Sequence, residues 1–543
     1  MSLAALPSLP LFIEAKKHAL ANPNQVAVID TAKGEQFTFG QLLADTAKLK
    51  QRILEELDLA GAGDLKERRV AFLVPNGYDY VVIQWAVWAA GGVCVPLCTS
   101  HPVKELLYTI GDSDPSLIIL HPTFEEFLTP LRDGDSTASP PRHYITLTPL
   151  SQITTGTNPP PQLPDFSPVY FPDRRALIIY TSGTTSTPKG CVTTHKTITF
   201  QSQCLVQAWN YQPSDHLIHV LPLHHIHGII NGLTATLLAG ATVEMHTKFD
   251  PQSIWTRWQD RSPGASTMFF GVPTIYARLI DYFDTHILGT EFDSAARSGA
   301  ASLRLLVSGS AALPTPIKTK FAAITGQSLL ERYGMTEIGM GLSCGLDLTQ
   351  RIDGSVGWPL PGVQVRLTEK DTGAILPIEA VDADGMIEVK GDNVFLEYWR
   401  RPRETTAQEF TADGWFRTGD VARRDQAGAY FIQGRASVDI IKSGGYKISS
   451  LEVERKLLAV AEIQEVAVVG IADAEWGQRV AAVVTQRAGT DPLELHTLRA
   501  RLKQEIAPYK IPTVLKIVDE IERNAMGKVN KKTIVKKYWP DLA

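Results

Sequence analysis

From Tyr180 to Gly190 the chain concentrates residues suited to holding phosphate. The hydroxyls of Thr181, Ser182, Thr184, Thr185, Ser186 and Thr187 surround Gly183 and are followed by Pro188, Lys189 and Gly190. Glycine lets backbone N–H groups face an anion, the hydroxyls donate further hydrogen bonds, and a lysine ammonium suits the spread-out charge of a polyphosphate. The apolar run Ala176 to Ile179 precedes the loop and reads as the strand that carries it. The pattern is not G-x-x-x-x-G-K-[ST], because the two glycines are spaced differently and Lys189 comes before Gly190. A P-loop ATPase fold is therefore not implied.

Four further blocks follow in order. They are Glu331-Arg332-Tyr333-Gly334-Met335-Thr336-Glu337, then Gly414-Trp415-Phe416-Arg417-Thr418-Gly419-Asp420, then Gly434-Arg435 with Lys442-Ser443-Gly444-Gly445-Tyr446-Lys447, and last Asn524-Ala525-Met526-Gly527-Lys528. With the loop at 181–190 they resemble the adenylate-forming, AMP-binding acyl-CoA synthetases and span most of the chain. Leu221-Pro222-Leu223-His224-His225-Ile226-His227-Gly228, Val272-Pro273-Thr274-Ile275-Tyr276-Ala277-Arg278 and Gly354-Ser355-Val356-Gly357 resemble the malonyl-CoA synthetase branch.

The resemblance implies a carboxylate attacking the α-phosphorus of ATP with pyrophosphate leaving, a charge-rich transition state stabilised by placed cations and N–H donors. Thr184 and Lys189 would hold the leaving pyrophosphate. Glu337, with Thr184, would hold Mg²⁺, a hard cation that takes oxygen ligands, and Thr336 would donate to the α-phosphate. Nucleotide contacts would extend over Thr181 to Lys189, Ser310, Ala311, Glu331, Arg332, Tyr333, Gly334, Met335 and Thr336, with Tyr333 stacked on adenine. Asp420 would accept both ribose hydroxyls, which one ionised carboxylate can do, and Arg435 would add a second ribose contact. Lys528 would bridge the α-phosphate and the acyl carboxylate.

Coenzyme A must then attack the acyl-adenylate in the same site. The resemblance implies that a small domain rotates, withdrawing Lys528 and presenting Lys442, Ser443, Gly444, Gly445 and Tyr446, where glycine lets backbone pass close to pantetheine. The family hinge carries Asp or Lys where this chain has Ser437, so Ser437 and Asp439 are both candidates. Ser186 stands where the family loop usually has Gly.

A small dicarboxylate substrate such as malonate would bury its second carboxylate, which needs a cation; an arginine fork suits it best. Arg278 is the candidate, with His227, Ser308 and Met335 lining the same pocket. Methylmalonate is left open. A fatty-acid or aryl-acid ligase, or an adenylation module loading a carrier protein, would share the nucleotide blocks.

The elements that must position these residues follow an α/β alternation. Residues 81–90 have helical spacing and Gly91-Gly92 stops them; residues 93–97 read as a strand. Residues 133–165, rich in Pro, Ser and Thr, read as a surface excursion without regular structure. A chain of 543 residues exceeds the roughly 250–300 at which one core stops growing. The expected division is a large adenylation domain over 1–433 and a mobile α+β domain over 434–543, with a charged helix over 450–458 and a strand over 465–470.

A net charge of −5 argues against a nucleic-acid partner. Five cysteines are few and odd in number, which suits a reducing compartment. Cys94 and Cys98 lack a second ligand pair at metal spacing. No apolar run reaches the ~20 residues of a membrane span. A cytoplasmic address is expected, or a mitochondrial one if a transit segment has been removed, for a monomer or homodimer.

Overall fold

The computed structural model describes residues 3–136, 141–147, 162–181, 188–262, 264–381, 383–523 and 529–542. Its strands fall into two large mixed sheets, a four-stranded sheet, a five-stranded sheet and a two-stranded ladder.

Several central strands of the large sheets are apolar runs, as befits strands buried on both faces; Leu330–Met335, which carries Glu331 and Arg332, departs from this. Arg69–Leu73, Val93–Pro96 and Leu117–Leu120 run parallel in the seven-stranded sheet. Met268–Gly271, Leu305–Ser308 and Leu330–Met335 do so in the nine-stranded one. The helix Tyr78–Ala89 is buried on every side and fills the layer that joins the two sheets into one core; a helix apolar all round has no solvent face to offer. Trp88 sits there and donates its indole N–H to the carbonyl of Ala176 at 2.8 Å. Helix and following strand stand where the sequence puts them.

One expectation is corrected. Within residues 133–165 the strand His143–Thr146 pairs in parallel with Leu117–Leu120 and closes one edge of the seven-stranded sheet. Its half-buried residues show no alternation; sheet register, rather than pattern, makes it a strand.

Past the four-stranded sheet, which ends with Tyr430–Arg435, the turn 436–439 leads into a separate core built on Ile440–Ser443, Tyr446–Ser449, Ile463–Asp473, Gly477–Gln486 and Val514–Ile517. Its first helix, Ser450–Leu457, starts because the Ser449 hydroxyl accepts the Glu452 N–H at 3.1 Å, satisfying one of the unpaired donors of the first turn.

Candidate active site

The strands on either side of the phosphate-loop residues pair with each other. Arg175–Thr181 and Lys189–Thr194 run antiparallel with Thr181 opposite Lys189. The strand Glu397–Tyr398 adds to the outer edge, setting Tyr398 opposite Cys191. Glu337 lies in the turn between Leu330–Met335 and Gly339–Ser343. The two sheets thus bring three separate chain segments to one point.

There Lys189 and Glu337 meet on opposite parts of one tyrosine. The Tyr398 hydroxyl donates to Glu337 Oε1 at 2.9 Å, and the Lys189 ammonium stands 4.7 Å from the centre of the same ring. Burial pushes the Glu337 carboxyl above the usual carboxylate range, and the Tyr398 hydrogen bond opposes that shift. Thr336 is held by its carbonyl, which accepts from the Cys191 thiol at 3.5 Å. No sequence block pointed to Tyr398; its role arises from sheet pairing alone.

A second cluster surrounds Asp420. Tyr333 donates its hydroxyl to Asp420 Oδ2 at 2.6 Å and Arg435 donates Nε to Oδ1 at 3.0 Å. Asp420 and Arg435 are cross-strand partners in the four-stranded sheet, so the ladder itself sets this geometry. Burial, together with the Asp420 charge, raises the Tyr333 phenol well above its ordinary range.

Residues flanking Tyr333 take different partners. Glu331, expected at the nucleotide, is instead committed to Lys318, whose ammonium donates to Oε1 at 2.9 Å and to the Arg351 carbonyl at 3.1 Å. A buried carboxylate requires such a cation, and even so burial pushes Glu331 up to about 7. Arg332 is buried and donates to the Ser310 hydroxyl at 3.0 Å. Ser310 and Ala311 are exposed at the turn after Leu305–Ser308, with Ser310 at φ +69°, a conformation uncommon outside glycine. Gly334 and Met335 end the strand, Met335 against the main core.

The acid-pocket residues separate. His227 is buried, and among the described residues neither ring nitrogen has a partner; burial holds its proton affinity well below the ordinary value. The Ser308 hydroxyl is likewise buried without a partner among the described residues. Arg278 lies on the helix Pro273–Tyr282, and the expectation of a buried guanidinium is not met. Arg278 is exposed and stacks 4.9 Å over Phe249, because Tyr276, Leu279 and Ile280 form the buried face of that helix. Ser182, Gly183, Thr184, Thr185, Ser186, Thr187 and Lys528 lie outside the described residues.

On the small domain, Gly444 and Gly445 form a two-residue turn between Ile440–Ser443 and Tyr446–Ser449. Both have positive φ, +54° and +83°, which is the turn that matches strand twist and favours glycine. Lys442 and Tyr446 are exposed beside it while Ser443 is buried, and Tyr446 stacks on Tyr509 with ring centres 4.0 Å apart. Of the two hinge candidates, Ser437 is exposed. Asp439 is anchored: it accepts the Arg435 N–H at 3.0 Å, the Ser450 hydroxyl at 3.2 Å and the Lys531 ammonium at 2.7 Å.

The lysine–tyrosine–carboxylate stack and the Asp420 cluster offer polar groups suited to a nucleotide, and sequence comparison gives the family. Residues 15–399 match the model of the AMP-binding enzyme family and residues 452–528 that of the AMP-binding enzyme C-terminal domain; the chain belongs to this family. It is similar to the mitochondrial malonate–CoA ligase ACSF3 of Mus musculus, 42% identical over 98% of this chain and 91% of that protein. It is also similar to a malonate–CoA ligase of Arabidopsis thaliana, 37% identical over 97% of this chain and 88% of that protein. Among solved structures, ATP-bound MatB from Rhodopseudomonas palustris superposes with a TM-score of 0.83 at 32% identity, covering 98% of this chain and all of that one. A malonyl-CoA ligase product complex with methylmalonyl-CoA and AMP gives 0.63 at 32%, covering 92% and 97%. Among the described residues no helix is long and apolar enough to cross a membrane.

Proposed function

We propose that the protein is an ATP-dependent, AMP-forming acid–CoA ligase that converts malonate to malonyl-CoA. What carries the reading is the Lys189–Tyr398–Glu337 stack standing with the Asp420–Tyr333–Arg435 cluster on a chain that aligns nearly end to end with malonate–CoA ligases.

In the first half-reaction a malonate carboxylate oxygen bonds to the α-phosphorus of ATP and the bond to the pyrophosphate oxygen breaks. Asp420 accepts the ribose hydroxyls, with Tyr333 and Arg435 fixing its two oxygens. Lys189, held in place over Tyr398, neutralises phosphate charge, and Lys528 from the small domain spans the two reactants. Glu337 offers a buried carboxylate with one described partner, which fits Mg²⁺ carried in on nucleotide phosphates; the ion would supply charge stabilisation. In the second half-reaction the coenzyme A thiol, losing its proton, bonds to the acyl carbon and AMP leaves.

For that step the turn 436–439 is the pivot between a domain ending near Arg435 and the small domain, and Asp439 is the residue about which it is organised. The exposed Gly444-Gly445 turn with Lys442 and Tyr446 then meets pantetheine. Names of vertebrate relatives support a mitochondrial site of action over the cytoplasmic one.

The test is pyrophosphate release with ATP, Mg²⁺ and coenzyme A across malonate, methylmalonate, acetate, octanoate and a cinnamate, with the thioester identified by mass. Malonate-selective thioester formation is the expected result. Preference for a monocarboxylate would remove malonate from the reading, and acyl-adenylate without thioester would point to a carrier-protein acceptor.

A further inference from the structure

The residues flanking the phosphate-loop segment are tied to one helix. On Val103–Ser113, Tyr108 donates its hydroxyl to the Pro188 carbonyl at 2.6 Å, and Asp112 accepts the Tyr180 hydroxyl on Oδ2 at 2.7 Å. Positions four apart share a face of a helix, so one helical turn holds the segment from both sides. Tyr180 immediately precedes Thr181 and Pro188 immediately precedes Lys189, and Thr181 and Lys189 are cross-strand partners.

The same aspartate reaches a third part of the site. Arg401 donates to Asp112 Oδ1 at 2.9 Å and to the Tyr108 hydroxyl at 3.4 Å, and the Trp399 indole donates to the Asp112 carbonyl at 3.1 Å. Both lie just past Tyr398, whose ring carries Lys189 and whose hydroxyl meets Glu337. Asp112 therefore gives one oxygen to the strand before the phosphate loop and the other to the segment after Tyr398. Gly190 lets these parts close up: a Cβ there would stand 3.1 Å from Tyr180 Cζ and 3.2 Å from Trp399 Cβ.

The hydroxyls add orientation to strands that are already joined by their own ladder. The Tyr108 and Tyr180 rings pack edge to face with centres 6.4 Å apart, a contact that does not need the oxygens. A peptide group is planar, so fixing the Pro188 carbonyl fixes the plane that carries the Lys189 N–H, and with it the origin of the lysine side chain. Burial, with Asp112 as acceptor, raises the Tyr180 phenol above its ordinary range and keeps that hydroxyl a donor.

We propose that Tyr108 and Asp112 are positioning residues for pyrophosphate departure, setting Lys189 in register with the Tyr398–Glu337 pair and so acting on adenylate formation rather than on thioester formation. This rests on the acid–CoA ligase reading and adds to it residues that none of the sequence blocks contains. Pyrophosphate leaves only in the first step, so the clamp has no task once the adenylate exists.

The experiment compares the full-length protein with Tyr108→Phe and Asp112→Asn in two assays, alongside thermal unfolding. The first is ATP–pyrophosphate exchange with malonate, taking KM for ATP, pyrophosphate and malonate in turn. The second lets the adenylate form without coenzyme A in the presence of pyrophosphatase, then adds coenzyme A and follows the thioester by mass. Tyr108→Phe should slow exchange about 2–10-fold, the range of a neutral hydrogen bond. Asp112→Asn, which loses the charge that Tyr180 and Arg401 address, should slow it about 10–100-fold. In both, KM for pyrophosphate should rise while KM for malonate and the rate of thioester formation stay native. Tyr108→Phe keeps the ring and reads the hydroxyl alone, which decides the matter if Asp112→Asn does not fold. Native exchange in the variants overturns the clamp alone, as does equal slowing of both steps or a malonate KM that rises with that for pyrophosphate. A wild-type protein that shows no exchange overturns the ligase reading and the clamp with it.

Discussion

Tyr398 donates its hydroxyl to Glu337 Oε1 at 2.9 Å across a sequence separation of 61 residues. The same ring carries the Lys189 ammonium on its face. One side chain therefore positions both the carboxylate that suits a metal-bound nucleotide and the lysine that suits its phosphates.

Replacing Tyr398 with Phe separates these two roles, since the ring stays and the donor goes. Glu337 is already raised by burial, and the lost hydrogen bond was lowering it, so its protonated fraction grows at mildly acid pH. The ionised form is the one that binds a cation. The acid limb of the pH–rate profile should move to higher pH, with kcat/KM reduced about 10–100-fold at its foot, the range of a hydrogen bond to a charged group, and less at pH 8. An unshifted limb would exclude this role.

Asp420→Asn removes the charge that Tyr333 and Arg435 both address. ATP KM should rise about 10–100-fold, on the same range for hydrogen bonds to a charge, with malonate KM little changed. Steady-state kinetics with each substrate varied in turn would reveal an effect confined to the acid instead.

Lys531→Met would strand Asp439 and Glu454, both of which the Lys531 ammonium reaches at 2.7 Å. Breaking a buried ion cluster from one side costs about 3–5 kcal/mol. Denaturant unfolding should show that loss, and adding Glu454→Gln should recover part of it. Additive losses in the double variant would argue against the coupling.

Gly445→Ala places a side chain at φ +83°, a conformation costing about 1–2 kcal/mol for an L-residue. The turn is exposed and belongs to the proposed thioester-forming face. ATP–pyrophosphate exchange should stay near native while thioester formation slows about 5–30-fold, the factor such an energy represents. Equal slowing of both would remove the glycine turn from the second step.

Much of the molecule is legible in the chain because the signals are local. Helical spacing stopped by Gly91-Gly92 marks a helix over 81–90 and a strand over 93–97, where Tyr78–Ala89 and Val93–Pro96 stand, and the charged run 450–458 marks the helix Ser450–Leu457. Each depends on residues within a few positions of one another, where backbone preference and hydrogen-bond geometry act without reference to the rest of the fold. The ordered blocks likewise pointed to the family whose models the chain matches.

Tertiary structure alone decided what the individual side chains meet. Glu331, Arg332 and Tyr333 are consecutive, yet one pairs with Lys318, one donates to Ser310, and one joins Asp420 87 residues away. Nothing in their types separates them, which is why the block reads as a single nucleotide contact. Whether a charge is solvated or paired depends on which distant segments exclude water from it, and that exclusion exists only once the sheets have packed.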